Sequence, residues 1–466
     1  MKIGLVGPSY EQRSLPFDAQ RCINLFAISD EQGKETSALY GTPGLSLFST
    51  CGSGPIRGCF AAANDRAFVV SGDKLYEVDS AGTATSRGTL NTSTGNVSMD
   101  ENGVQLFICD GDDGYTLTYS GDTFAVVSDV DFPSAGSVTY IDGYFIVNQN
   151  SSGKFYISSI NDGTAWAALD FATAESAPDT LKRPIRAVGQ LWLFGSKSTE
   201  IWTNTGDSDF PFQKISGAEM AFGIMAPHTA VEHGGTVYWV GENDDGVGIV
   251  YRAKGFSPER VSTEAIEIRI REATDKENMT AYSYQEDGHD FYVLTGGGLE
   301  TTLVYDVSTG LWHERAYLES SGTSSLHLAS CCMFIFGKHI VGDRRNGKVY
   351  EMSMDYYSDA GDEIARDRIF THLSDEDKRI RYNKLEIGFE TGVGLTSGQG
   401  SDPLVSLRLS KDGARTWSDE YTASLGAIGQ YQTKVAFRRL GIAEQMTFWI
   451  RVTDPVKVAI VGAYLS

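Results

Sequence analysis

Apolar and polar residues alternate over short runs along most of the chain, and Gly, Asp and Asn break the alternation at close intervals. Period-two alternation bounded by such residues predicts strands joined by tight turns. Between Cys59 and Met352 the runs group into a loose repeat: an alternating strand, a turn, and a second strand carrying an apolar–aromatic pair. The aromatic members are Tyr76, Tyr115, Tyr156, Trp202, Tyr251, Tyr305 and Tyr350, spaced by 39, 41, 46, 49, 54 and 45 residues. A four-stranded propeller blade takes about 40–50 residues. One blade cannot bury both of its faces, whereas a ring of blades can. The pattern therefore predicts an all-β protein with a β-propeller of six or seven blades. A row of β-sandwiches would not be expected to keep the same unit seven times.

The repeat stops near Asp359. Residues 360–466 begin with a strongly charged stretch, "DEIARDRIFTHLSDEDKR", which reads as a solvated linker. Beyond it, "NKLEIGFET", "LVSLRLSKDG", "YQTKVAFRRLG", "MTFWIRVTD" and "VKVAIVGAYL" read as strands, with "TGVGLTSGQGSDP" as a loop. Five or six antiparallel strands in about 100 residues predict a separate C-terminal β-sandwich. At the other end, residues 1–55 hold two strand-like runs, "QRCINLFAI" (Gln20 to Ile28) and "YGTPGLSLF" (Tyr40 to Phe48). Thr-Pro-Gly is a turn signal that shortens the second run. An N-terminal strand joining the last blade would close the ring and remove its unpaired edges. The expected organisation is thus 1–55 closing the propeller, 56–359 propeller, and 360–466 sandwich.

Composition narrows the function classes. With 466 residues and a formal charge of −22, the surface repels phosphate, which argues against a nucleic-acid coat or repressor. It leaves room for a conduit through which DNA slides without sticking. Cys22, Cys51, Cys59, Cys109, Cys331 and Cys332 form no C-x-x-C, and no histidine cluster completes a zinc set. Scattered free thiols suggest folding in a reducing compartment. The start, "MKIGLVGPSYEQRS", does not read as a signal peptide, and no window approaches the roughly 20 apolar residues of a membrane span. Synthesis and assembly in a cytoplasm are expected, with no membrane partner.

No catalytic motif stands out. Asp112-Asp113 and Asp244-Asp245 fall in expected turns, and Asp375, Glu376 and Asp377 in the charged linker. A calcium turn at Gly241 to Gly248 would lack the terminal Glu of a full loop. The histidines (His228, His233, His289, His313, His327, His339, His372) are dispersed, and His289 and Asp290, adjacent on a strand, would point to opposite faces. Ser410-Lys-Asp-Gly-Ala-Arg-Thr-Trp417 resembles the Asp box of sialidases, and Val304 to Trp312 resembles a kelch-type blade ending. The Asp box occurs once, outside the blades, with Ala414 at its usual glycine. A sialidase also needs an arginine cluster for the substrate carboxylate, and the blades offer few arginines. Ser410, Asp412 and Trp417 are accordingly expected to build a hairpin turn, and no catalytic, cofactor or metal residues are assigned. A propeller-type glycan-binding or glycan-cleaving protein remains the alternative.

Both ends carry a more definite resemblance. "GPSYEQRSLPFDAQRCINLFAISDEQGK…LYGTPGLSLF" resembles the start of the packaged-DNA stabilisation proteins of short-tailed bacteriophages, also called tail accessory factors or tail hub proteins. The C-terminal "S-x-DG…TW" turn, the stretch with Gly426, Gly429 and Tyr431, the "RRLG" step and the "VTDPV" join resemble that family's closing domain. The resemblance implies a non-enzymatic virion tail protein. It implies a homo-hexamer docked below the portal and its adaptor protein, helping to retain packaged DNA and linking the tail needle and tailspikes. DNA would pass through the lumen without specific binding.

Overall fold

The computed structural model of the chain describes residues 2–15, 18–29, 37–243, 246–374 and 378–466. Seven antiparallel units follow one another, at 56–89, 98–126, 135–173, 181–214, 223–260, 279–326 and 329–353. The last has three strands of its own, and Gly44–Thr50 pairs antiparallel with Lys348–Ser353 as its fourth, placing Leu45 opposite Met352. The innermost strand of each blade lies against that of the next, and Ala329–Ile335 of blade seven returns to Ile56–Ala61 of blade one. Blade five differs: its inner strand is two short pieces, Gly223–Ile224 and Val231–His233, separated by a 3-10 turn at Pro227–Thr229.

Each pair of neighbouring blades shares one apolar cluster. Phe107, Phe145 and Trp166 fill the gap between blades two and three. Ile56, Val69, Met333, Ile340 and Val349 join blade seven back to blade one. All seven repeat aromatics lie on the third strand of their blades. The repeat unit read as two strands therefore contains three, and the fourth is a polar outer strand such as Ala84–Thr89. The tyrosines also tie turns. Tyr115 Oη donates to Asp110 Oδ2 at 2.8 Å, and Tyr350 Oη to Asp343 Oδ2 at 2.8 Å, each aspartate standing at the end of the preceding strand.

A helix, Glu264–Glu272, interrupts the all-β pattern between blades five and six, burying Ile266 and Ile270 against Tyr238, Tyr292 and Trp312. It accounts for the longest aromatic spacing.

The sandwich has two sheets. One runs Leu25–Ser29, Ser37–Gly41, Ala459–Leu465, Ile380–Phe389, Val435–Ala443, with Lys2–Ile3 also paired to Ala459–Leu465. The other runs Ala19–Ile23, Arg366–Ser374, Gln445–Val452, Leu404–Ser410, Tyr421–Ser424. Ala19–Ile23 also pairs in parallel with Leu311–Leu318 of blade six, at Ile23 opposite Glu314, so one eleven-stranded sheet runs from propeller into sandwich.

Three expectations change. The N-terminal segment does more than close the ring: Gly44–Thr50 completes blade seven, while four earlier strands pair within the sandwich and one of them, Ala19–Ile23, pairs with blade six as well. "QRCINLFAI" is two strands rather than one, broken at Asn24, whose φ of 54° turns the chain from one sandwich sheet to the other. The charged stretch read as a linker contains the strand Arg366–Ser374, in which Arg366, Asp367 and Arg368 are all buried. Asp375, Glu376 and Asp377 lie outside the described residues.

Candidate functional site: the propeller–sandwich seam

The most concentrated chemistry lies where the N-terminal segment, the helix and blade six meet the sandwich. Glu314, on the outer strand of blade six, is completely buried because Ala19–Ile23 covers it. Its Oε1 accepts from Ser9 Oγ at 2.7 Å and Arg21 Nε at 3.1 Å. Its Oε2 accepts from Arg21 Nη2 at 2.5 Å, Thr301 Oγ1 at 2.7 Å and Arg269 Nη1 at 2.7 Å. Glu11 Oε2 receives Arg269 Nη2 at 3.1 Å and stands 3.4 Å from Arg21 Nε. Burial alone would raise the Glu314 pKa, but the two guanidiniums outweigh it and hold the carboxyl far below its ordinary value. One carboxylate thereby ties the N-terminal arm, the helix and blade six together.

Two further residues lock the same junction. Asn24 Nδ2 donates to the carbonyls of Ala316 (2.8 Å) and Ala365 (2.9 Å), and its Oδ1 accepts from Ala316 N at 2.9 Å. Arg368 is fully buried and donates to Leu5 O (2.7 Å), Pro8 O (3.0 Å), Arg21 O (3.1 Å) and Gln20 Oε1 (2.7 Å). Burial lowers its pKa. This staple explains the glycine in "GPSYEQRS": a Cβ on Gly7 would lie 2.9 Å from Arg368 Nη2. Likewise a Cβ on Gly44, where the chain leaves the sandwich for blade seven, would lie 2.5 Å from Tyr356 O.

Beside the closure strand sits Asp359, completely buried and paired in parallel with Leu45. Burial pushes its carboxyl up to about 7, only partly opposed by Arg366 and Arg315. The nearest imidazole nitrogen, His327 Nε2, is 3.9 Å away, and burial pushes that histidine down to about 3, leaving it neutral. An unfolded aspartate titrates near about 3.9, so from there to about pH 7 the folded chain holds a proton the unfolded chain has lost. This contribution to stability is complete below about pH 4 and declines as pH rises through about 7. Asp359→Asn should remove that decline. Urea unfolding at several pH values between 5 and 8 should show wild type losing stability relative to the variant, and parallel profiles would contradict the assignment.

The Asp-box stretch lies on the same side of the sandwich, between Leu404–Ser410 and Tyr421–Ser424. Asp412 Oδ1 accepts from Arg415 N (3.0 Å), Thr416 N (2.9 Å) and Ser410 Oγ (2.7 Å), and Oδ2 from Thr416 Oγ1 (2.6 Å). The bonds from Thr416, then that from Ser410, depress the carboxyl strongly. Trp417 meets Trp449 edge to face at 5.3 Å. With its carboxylate committed to the turn, Asp412 has no free oxygen pair for acid–base chemistry. Ala414 has φ 66°, the left-handed conformation its usual glycine tolerates. We expect Asp412→Ala to lower the melting temperature of the sandwich. Ala414→Gly should raise stability by up to about 1 kcal/mol. Calorimetry of both variants checks the opposite signs.

A cleft of about 870 Å3 between blade six and the sandwich is lined by Trp417, Trp449, Arg21, Arg344, Arg408 and Arg451. Its arginines are already engaged. Arg451 Nε and Nη2 each lie 2.7 Å from Asp367, Arg408 binds Glu420 at 2.8 Å, and Arg344 Nε donates to His327 O. Arg21, Arg408 and Arg451 are thus spent on carboxylates of the chain itself, and Arg344 on the backbone carbonyls of Leu326 and His327.

The other candidates scatter. His289 Nδ1 binds Asp306 at 2.8 Å, whereas Asp290 binds His233 Nε2 at 2.7 Å. Asp112 and Asp113 give their N–H groups to Asp110 Oδ1. Asp244 and Asp245, and with them the calcium turn, lie outside the described residues, as does the His372 side chain. Among the described residues no group of three His, Cys, Asp or Glu is placed to hold a metal. Among the described residues, no helix is long and apolar enough to cross a membrane. Sequence reasoning missed Glu314, Arg269, Asn24 and Arg368. A signal was present in "WHERAY", where three successive charged or polar residues sit in a strand beside Trp312, an arrangement that requires partners on both faces.

Comparison with known families decides the lineage. The pattern described as "Bacteriophage P22 Gp10, beta-propeller" matches residues 1–357, and "Bacteriophage P22 Gp10, beta-sandwich" matches residues 366–466. The chain belongs to the bacteriophage P22 Gp10 family. It is a Gp10-like phage tail protein, and the family is one of structural phage proteins. The propeller match includes the N-terminal arm, in keeping with the closure strand at Gly44–Thr50. A comparison with curated proteins finds no match. Among solved structures, the extracellular domain of a hybrid two-component system from B. thetaiotaomicron aligns at 11% identity and a TM-score of 0.46, over 86% of this chain and 48% of that one. The WD40 domain of Neurospora crassa Pan2 aligns at 8% identity and 0.44, over 66% and 95%. The WD40 β-propeller of Doa1 aligns at 13% identity and 0.42, over 66% and 97%. The chain thus spans about half the length of the first of these.

Proposed function

We propose that this Gp10-like protein is a non-enzymatic tail hub. It assembles as a homo-hexamer below the portal and its adaptor protein, helps to retain packaged DNA, and links the tail needle and tailspikes. The observation that carries this reading is the match of both domains, in order, to the P22 Gp10 family. Two features suit it. The eleven-stranded sheet and the Glu314 node couple propeller and sandwich, as a part bearing load between capsid and tail requires. The cavity on which all seven blades converge is about 370 Å3, room for roughly a dozen waters and far too small for a duplex. A DNA passage would therefore lie between subunits, and a net charge of −22 disfavours adsorption there. Assembly in the host cytoplasm and residence in the virion tail follow from the same reading.

Light scattering after size exclusion, of the chain alone and mixed with the portal–adaptor complex, tests it. Six copies bound per portal complex are expected. A chain that neither binds that complex nor is found in purified virions would sink the reading.

A further inference from the structure

The ring closes through hydrogen bonds and apolar contact between the first and last blades, and a pair of thiols faces across that join. Cys59 lies on Ile56–Ala61, the inner strand of blade one, and Cys331 on Ala329–Ile335, the inner strand of blade seven. The two strands are neighbours, and Ser330 Oγ bridges them by donating to Ile56 O at 3.2 Å. The two thiols are near enough to interact, each shifting the other's pKa. Both border the blade seven–blade one cluster, whereas Cys332 points the other way and packs against the blade six–blade seven cluster. Both line the 370 Å3 cavity and are partly exposed, as is Cys332, in contrast to the buried Cys22, Cys51 and Cys109.

We propose that Cys59 and Cys331 are a redox site that staples the first blade to the last through a disulfide when the chain meets a small-molecule disulfide. A Cys331 thiolate attacks the oxidant, forming a mixed disulfide and releasing one small thiol. The Cys59 thiolate then attacks the Cys331 sulfur and expels the second small thiol. Two protein thiols are oxidised, one disulfide is reduced to two thiols, and the protons lost by the cysteines pass to the leaving thiols. Cys331 is the better first nucleophile: the neighbouring Cys59 thiol lowers its pKa, with help from Ser330 and the Gly342 N–H against the opposing effect of burial. A covalent bond here restricts the unfolded chain over nearly the whole propeller and makes the closure independent of the N-terminal strand.

The test treats the purified full chain with 2-hydroxyethyl disulfide, removes the reagent, and counts thiols after denaturation. Two of the six thiols should be lost. Tryptic peptides 58–66 and 316–338 should appear joined in non-reducing mass spectrometry, and the unfolding midpoint should rise and fall back on reduction. Cys332→Ser should keep the joined peptide, which assigns the bond to Cys331, and Cys59→Ser should lose it. Retention of all six thiols, a link to Cys332 or Cys51, or a bond between chains would overturn the proposal. Peptide mapping on the wild-type chain keeps the test decisive even where a variant fails to fold.

Discussion

Glu314→Ala should destabilise the protein by about 3–5 kcal/mol, the cost of removing one partner from a buried ion cluster and leaving its arginines uncompensated. Arg21 and Arg269 converge on that carboxylate, together with Ser9 and Thr301. Removing it leaves the two guanidiniums with Glu11 and the more distant Asp367 as counter-charges, and takes an acceptor from two hydroxyls. Glu314→Gln keeps the volume and should recover only part of the loss, because an amide restores hydrogen bonding but not charge. The pH dependence has a definite sign. The folded-state pKa lies below the unfolded value of about 4.3, so the stabilisation is present above that pH and is lost as pH falls toward the folded value. Guanidinium unfolding of both variants near neutrality, and of wild type on acidification, reads these effects. An alanine variant within about 1 kcal/mol of wild type would show that the node does not hold the seam.

Deleting residues 2–50 should abolish cooperative folding altogether. The deletion takes the fourth strand from blade seven and exposes the edge of Lys348–Ser353. It also takes Ile3, Leu5, Leu25 and Leu39 from the sandwich core, and Phe26 and Leu45 from the cluster between blades six and seven. Burial of each such side chain is worth about 1.5–3 kcal/mol. Their sum reaches the whole stability of an ordinary domain, about 5–15 kcal/mol. The expected product is an aggregating chain without a sharp thermal transition. A soluble truncated protein with native near-ultraviolet dichroism and a single transition would refute the closure role of the arm.

The reading of the sequence succeeded where structure repeats locally. The seven aromatics each fall in a separate blade because every third strand repeats the same environment between two neighbours, although the sequence left the count at six or seven. It passed over or misjudged elements whose pattern is set by distant partners. The helix Glu264–Glu272 spaces Ile266, Ile268 and Ile270 two apart, a strand-like period, yet the gap between blades five and six accepts a helix with Ile266 and Ile270 innermost. "ARDRIF" looked solvated because charges usually are. Arg368 is buried because three carbonyls and a glutamine from the N-terminal arm receive it.

From the sequence by itself came the all-β class, the propeller followed by a sandwich, and the family resemblance at both ends, since alternation, turn residues and repeat length are local properties of the chain. The tertiary structure alone decided the blade count, the division of the N-terminal arm between two domains, and the seam that joins them. Glu314 and Arg21 are 293 residues apart, and Arg368 and Leu5 are 363 apart. A buried charge carries no local mark of its partner. Its identity is set only when folding brings distant segments within hydrogen-bonding distance.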